Sequence, residues 1–147
     1  MAQDDIIPDE DHISRYAPGS KIHNIDGKEK VDFEVFLSKK PENYRSVDWL
    51  EFNGKKSIEA CLQEVRQCFI DEGFNLKTTA RFAILNIEKM RQKVQVETKS
   101  TRDLLVKHEC DNARPCHAGI YGYEVDEIEI AKHIADSVIA LPVAIKK

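Results

Sequence analysis

The sequence predicts an α+β domain: a small, mostly antiparallel sheet with two to three helices packed on one side. Three observations carry that expectation. Val31, Phe33, Val35 and Leu37 alternate with Asp32, Glu34, Phe36 and Ser38, the period of a strand with one mostly apolar face. Behind Ser57, the residues Ile58, Cys61, Leu62, Val65, Cys68 and Phe69 recur at the spacing of a buried helical stripe. A second stripe of that kind closes the chain, and strands interleaved with helices in this way form a layered α+β architecture.

The strand over 31–37 gives way to KKPEN, a polar turn punctuated by Pro41 and Asn43. YRSVDWLEF then reads as a second strand, and the short connection predicts an antiparallel hairpin. Ser57 is the expected N-cap of the first helix, with Glu59 in its first turn and Gly73 as its stop. ARFAILNI predicts a third strand that runs into a short helix capped by Asn86, and VQVET a fourth short strand. DLLVKHEC, residues 103–110, fits strand or helix, and AGIYGY supplies the last strand. Asp126 and Glu129 have capping-box spacing for the closing helix. Its buried face takes Ile128, Ala131, Ala135 and Val138 and is widened by Ile130 and Ile134.

A chain of 147 residues fits one domain, and at this size roughly 70% of the unfolded surface is hidden without staples. The composition, 41% hydrophobic and 33% charged, suits a globular protein in water. No window approaches the ~20 apolar residues of a membrane helix. The opening MAQDDIIPDEDH lacks the basic start and apolar run of a signal peptide, which predicts a cytoplasmic protein with no membrane contact. The net charge of -4 is unevenly placed, because residues 1–12 carry Asp4, Asp5, Asp9, Glu10 and Asp11 and no base. The expected division is an acidic tail over 1–11, solvated or docked on a basic partner, and one α+β domain over 12–147. No concentrated basic patch marks a nucleic-acid binder, so nucleic acid enters only as a substrate.

SVDWLE holds the only tryptophan. On a strand, Val47, Trp49 and Glu51 share one face while Ser46, Asp48 and Leu50 share the other. Two readings stand. Trp49 is a core anchor whose indole N–H finds a partner, with Glu51 outside a fraying strand. Alternatively, Trp49 walls a pocket in which burial raises the pKa of Glu51 toward that of a neutral-pH acid or base. Ser46, Asp48 and Trp49 are then binding candidates.

In DEDHISRY, His12 and Arg15 are three apart and share a face of one helical turn. That pairing suits phosphate, because arginine fixes the anion while histidine moves a proton. The plainer alternative is an N-terminal turn whose Arg15 pairs with nearby acids. His108, Cys110, Cys116 and His117 are the right number and kinds of ligand for tetrahedral zinc. Their spacing lacks a C-x-x-C knuckle, and adjacent ligands wrap poorly around one ion, so no metal or cofactor is expected. Cys61 and Cys68 fall on the apolar stripe as small core residues. His23 and His133 have no partner pattern.

His117 follows Pro115 at a loop-to-strand junction, where side chains are held yet accessible. His12, His117, Glu51 and Arg15 together would suffice for metal-independent phosphodiester cleavage. One imidazole takes the proton of the attacking hydroxyl, the other protonates the leaving oxygen, and Arg15 steadies the charge. The set works only if His12, Glu51 and His117 meet in one cleft. Phosphate loops, Ser-His-Asp signatures and H-E-x-x-H are absent.

Three motifs, D-x-x-H-x-x-R-Y in PDEDHISRY, S-V-x-W-L-E in SVDWLE and P-x-H-A-x-I in PCHAGI, carry a resemblance. Together they resemble, from Pro8 to the last helix, a family of small bacterial proteins with no established activity. The resemblance implies a bacterial origin and sets His12, Arg15, Ser46, Trp49, Glu51 and His117 among the motif positions. It brings no mechanism. The family's pattern has no cysteines near its last motif, so Cys110 and Cys116 depart from it, which counts further against zinc.

Two functions remain. The first is a non-enzymatic accessory or interaction subunit of a bacterial multi-protein system, of the defence or toxin kind. It would dock an unidentified protein partner through the acidic start or an exposed sheet edge. The second is a small RNase-like phosphodiesterase using His12, Arg15, Glu51 and His117. The missing catalytic signature favours the first.

Overall fold

The computed structural model describes residues 5–37, 44–109, 115–124 and 126–145. Five strands, β1 (His12–Ala17), β4 (Arg45–Trp49), β5 (Arg81–Asn86), β6 (Leu105–His108) and β7 (His117–Tyr121), form one sheet in the order β5-β1-β4-β7-β6. Every pairing in it is antiparallel. A separate hairpin joins β2 (Ile22–Ile25) to β3 (Lys28–Val31). The helices are α1 (Ile58–Asp71), α2 (Ile87–Glu97) and α3 (Ile128–Asp136). The chain therefore has the α+β architecture that its hydrophobic pattern predicts.

β5 reads as an unbroken apolar run because both of its faces are covered. Ala83 and Leu85 join Ile13, Val47 and Ile120 in the main core, where α2 and α3 pack side by side through Met90, Val94, Ile130 and Ile134. Two helices thus pack together on one side of the sheet. Phe82 and Ile84 belong to a second cluster with Leu62, Val65 and Phe69 of α1. Ser57 caps α1 by accepting from the Ala60 amide. The helix ends in a Schellman turn, with Phe74 N–H donating to the Phe69 carbonyl and Gly73, at φ 80°, donating to that of Ile70.

Both outer strands of the sheet are paired with other segments. Residues 139–144 run along β5, with Phe82 donating to Pro142 and Ile84 to Ala140. Residues 5–7 run along β6, with Ile7 donating to Val106 and His108 to Asp5. Covering an edge removes the row of free N–H and C=O groups that would template another chain. The outer edges of β5 and β6 are thus covered along these segments.

Several local expectations are corrected. The strand predicted over 31–37 stops at Val31, because Asp32 accepts from the Glu34 amide and caps a 3-10 turn over Phe33–Phe36. Its partner is β2 and not the strand bearing Trp49, and the two are joined by Asp26-Gly27 at φ 53° and 78°. VQVET continues α2, with Val94 buried and Val96 exposed, because Ile87, Met90 and Val94 already set a helical period. Residues 105–108 are strand. The N-cap of α3 is Glu127, one residue past the expected Asp126. Turn KKPEN and Cys110 lie outside the described residues.

From residue 5 onward the acidic stretch is part of the domain. Ile7 is fully buried, and the Asp11 carboxylate accepts from the Trp49 indole N–H at 2.9 Å. The carbonyls of Asp11 and Asp9 accept from Ile87 and Glu88, the first amides of α2. Arg91 binds the carboxylates of Asp9 and Asp103. Asp11→Ala would leave the buried indole N–H unpaired, and a loss of about 1–3 kcal/mol is expected in urea unfolding. Asp11→Asn, which keeps an acceptor, should lose less.

Candidate functional site

The side of β1 and β4 that faces α1 carries the polar residues. Ile13 lies opposite Trp49 and Ser14 opposite Asp48, so His12, Ser14 and Tyr16 share a face with Ser46 and Asp48. Asp48 in turn lies opposite His117, and Ser46 opposite Gly119. The motif residues thus divide between the two ends of α1.

At the N-terminal end, β4 stops at Trp49 and a 3-10 turn over Leu50–Asn53 swings Glu51 off the strand. One carboxylate oxygen of Glu51 accepts from the His12 amide at 2.7 Å and the other lies 2.6 Å from His12 Nδ1. This pairing leaves Nε2 as the nitrogen not engaged by Glu51, on a side chain that is mostly covered. Trp49 is a core anchor and does not wall this pair: it is buried, hydrogen-bonded to Asp11, and edge-on to Phe52 and His108.

At the C-terminal end, Ser14, Arg15, Tyr16, Ser46 and Asp48 meet Phe69, Glu72 and Phe74 around an open groove of about 480 Å³. The pairing of β1 with β4 ends at Ser14 and Asp48, and the Arg15 guanidinium occupies the seam beyond. Its Nη1 donates to the Ser46 carbonyl at 3.1 Å, while Nε is buried without a partner. The Ser14 hydroxyl, wholly buried, also has no partner. His117 sits behind Ser46, with Nε2 2.9 Å from the Ser46 hydroxyl and Nδ1 3.1 Å from the Glu109 carbonyl. The Schellman turn seats Phe74 over Phe69 and Tyr16, at 5.2 and 5.0 Å between ring centres, and leaves it 45% exposed at the groove's lip.

Gly119 is required beside this end. A Cβ there would stand 2.4 Å from the Tyr44 ring, which packs against Tyr121 and edge-on to His117. Between the two ends, Asp48 is buried under α1 beside Cys116. Burial, and next the Asp48 carboxylate, push the Cys68 thiol pKa up. Burial does the same to Cys61. Both thiols are therefore poorly disposed to ionise.

Of the proposed catalytic set, the structure joins His12 to Glu51 but not to His117. β4 separates β1 from β7, and the register offsets His12 along the strands from the position across from His117. Their side chains turn to different partners. Arg15 does not share a helical turn with His12, since β1 is a strand and a three-residue spacing changes face. The zinc candidates also diverge. His108 Nε2 lies 2.7 Å from the Pro115 carbonyl, Cys116 faces Asp48 and His117 faces Ser46. Among the described residues no group of three or more His, Cys, Asp or Glu is placed to hold a metal ion. Nor is any helix among them long and apolar enough to cross a membrane.

Sequence patterns did not reveal Ser14, Tyr16, Glu72 and Phe74 as groove residues. The one available signal was the period of β1, which places Ser14 and Tyr16 beside Asp48 and Ser46 once HISRYA is read as a strand. Comparison with known proteins finds no matching family model, curated protein or solved structure.

Glu51→Ala would remove both acceptors of His12. The expected results are a loss of about 1–3 kcal/mol in urea unfolding and a broadened His12 ring signal in proton NMR. An unmoved His12 signal would show that the carboxylate does not fix the ring.

Proposed function

We propose that the chain is a non-enzymatic accessory subunit of a bacterial multi-protein system, and that it recognises a carboxylate in the groove at the C-terminal end of α1. One observation carries the reading. Arg66, Arg81, Arg91 and Arg102 each hold a carboxylate, whereas Arg15, like buried Arg45, hydrogen-bonds a backbone carbonyl, and of these two only Arg15 lines the groove and leaves its Nε without a partner. A part-buried guanidinium with donors to spare suits a planar two-oxygen acceptor.

The phosphodiesterase reading keeps one supporting feature, the His12–Glu51 pair, in which a carboxylate orients an imidazole. It lacks the second imidazole within reach. Incubation with RNA separates the two: the recognition reading expects no cleavage, and cleavage abolished by His12→Ala would restore the enzyme.

The groove itself is tested by titrating the protein with 3-phenylpropionate, followed by amide NMR shifts. Shifts are expected at Arg15, Ser46 and Phe74. Arg15→Ala should weaken binding about 10- to 100-fold, the range for losing a hydrogen bond to a charged group. Binding that survives Arg15→Ala unchanged would remove the carboxylate from the reading.

A further inference from the structure

We infer that the outer edge of the β2–β3 hairpin docks an extended acidic segment of a partner protein as an added strand, independently of the groove at the end of α1. β3 pairs with β2 alone, so among the described residues its other edge has no strand beside it. Asp26 and Gly27, both at positive φ, make the two-residue turn that sets Ile25 and Lys28 as a hydrogen-bonded pair. Alternation then pairs His23 with Lys30 and Lys21 with Asp32, whose amide donates to the Lys21 carbonyl at 2.7 Å. Glu29 and Val31 fall between these pairs, so their N–H and C=O groups point away from β2.

That edge borders a groove of about 970 Å³ whose other side is the end of α3 and the segment that follows it. Consecutive residues 28–33 line it, as an edge does and a single strand face does not. On the far side, Leu141 turns its own backbone outward, because the carbonyls of Ala140 and Pro142 are taken by β5. Ile25 and Ile139, 53% and 46% exposed, offer apolar contact. Most charges of the lining are already matched. Arg81 holds Glu29, His23 and the Glu34 amide hold Asp32, and Glu97 and Glu129 hold Lys93 and Lys132. Asp136 ends α3, off the hairpin. Lys28 and Lys30 form no ion pair among the described residues and lie two apart on one face of β3. Such edge lysines repel a second copy of β3, whose own lysines would stand beside them. A strand with acidic side chains at alternate positions matches both charges, and its backbone takes up the hydrogen bonds of the open edge.

The experiment titrates the full chain with a terminally blocked heptapeptide of alternating glutamate and valine, followed by amide NMR and hydrogen exchange. Binding is expected, with shifts along β3 and slowed exchange at the Glu29 and Val31 amides. Lys28→Gln with Lys30→Gln, both at exposed positions, should weaken it about twofold to thirtyfold, the scale of two solvent-exposed ion pairs. Two further peptides, N-methylated on the valines or on the glutamates, each have one backbone edge blocked, and at least one of them is expected to lose binding. If both bind as tightly as the parent, strand addition is overturned. A lysine–valine peptide that binds as tightly as the glutamate one overturns the acidic preference. The inference also fails if the parent peptide does not bind, or shifts only Arg15 and Phe74 in the other groove. Protection of β3 that rises with protein concentration in the absence of peptide would overturn it as well, since it marks self-pairing.

Discussion

The register of β1 between β4 and β5 decides where every polar group of the centre points. Ile13 lies opposite Trp49 on one side and Leu85 on the other. A slip of one residue would turn Ile13 and Ala17 toward α1 and drive Ser14 into the main core. Full burial of an isoleucine side chain stabilises by about 1.5–3 kcal/mol. A hydroxyl left without a partner costs about 1–3 kcal/mol. The two are comparable, but Ala17 and the neighbouring pairs add to the first and nothing adds to the second. The register is therefore held by apolar burial, and Ser14 is stranded under α1 as a consequence.

Arg15 follows from the same register. Alternation assigns it to the side of Ile13 and Ala17, where an unpaired guanidinium would be costly. The short β1–β4 ladder relieves the conflict. Because pairing stops at Ser14, the Ser46 carbonyl has no amide opposite it on β1, and the guanidinium supplies that donor. Arg15 thus completes the sheet with one nitrogen and keeps the rest of its donors. The acidic segment shows the opposite outcome. Asp9 and Asp11 spend both carbonyls and carboxylates on α2, Arg91 and Trp49, so charge that looks available in the sequence is structural.

The fold class and the best-patterned elements were legible. α1 was readable from Ser57 to Gly73, because a cap, an apolar stripe and a stop signal agree there, and β5 was readable from its apolar run. The hairpin partner of residues 28–31 was missed although Asp26-Gly27 is a strong turn signal. Alternation over 31–37 looked continuous, and only the local Asp32 cap breaks it. Val94 and Val96 suggested a strand by composition, yet the turn before them had already committed the backbone to helix. At the site, proximity of motifs along the chain was a poor guide. His12 and His117 share a sheet face, but one strand and an offset in register keep them apart. Ser46 and His117 were singled out separately and do meet, because diagonal neighbours on adjacent strands lie within reach of a long side chain.

Among the described residues the groove holds two of the three buried side-chain polar atoms without a partner, the third being Glu64 Oε1. The outer strands of the sheet are covered by residues 5–7 and 139–144, whose amides and carbonyls complete the ladder. Buried Arg66 is held by two carbonyls of the 139–144 strap and by Glu59. At the end of α1, by contrast, the Ser14 hydroxyl and Arg15 Nε are both buried and both unpartnered, side by side on one strand. Folding could have removed either by an alanine at position 14 or a shorter side chain at 15 without disturbing Ile13. A pair of unmet donors retained beside an exposed phenylalanine is costly to stability, and the recognition proposed above would offset part of that cost at Arg15.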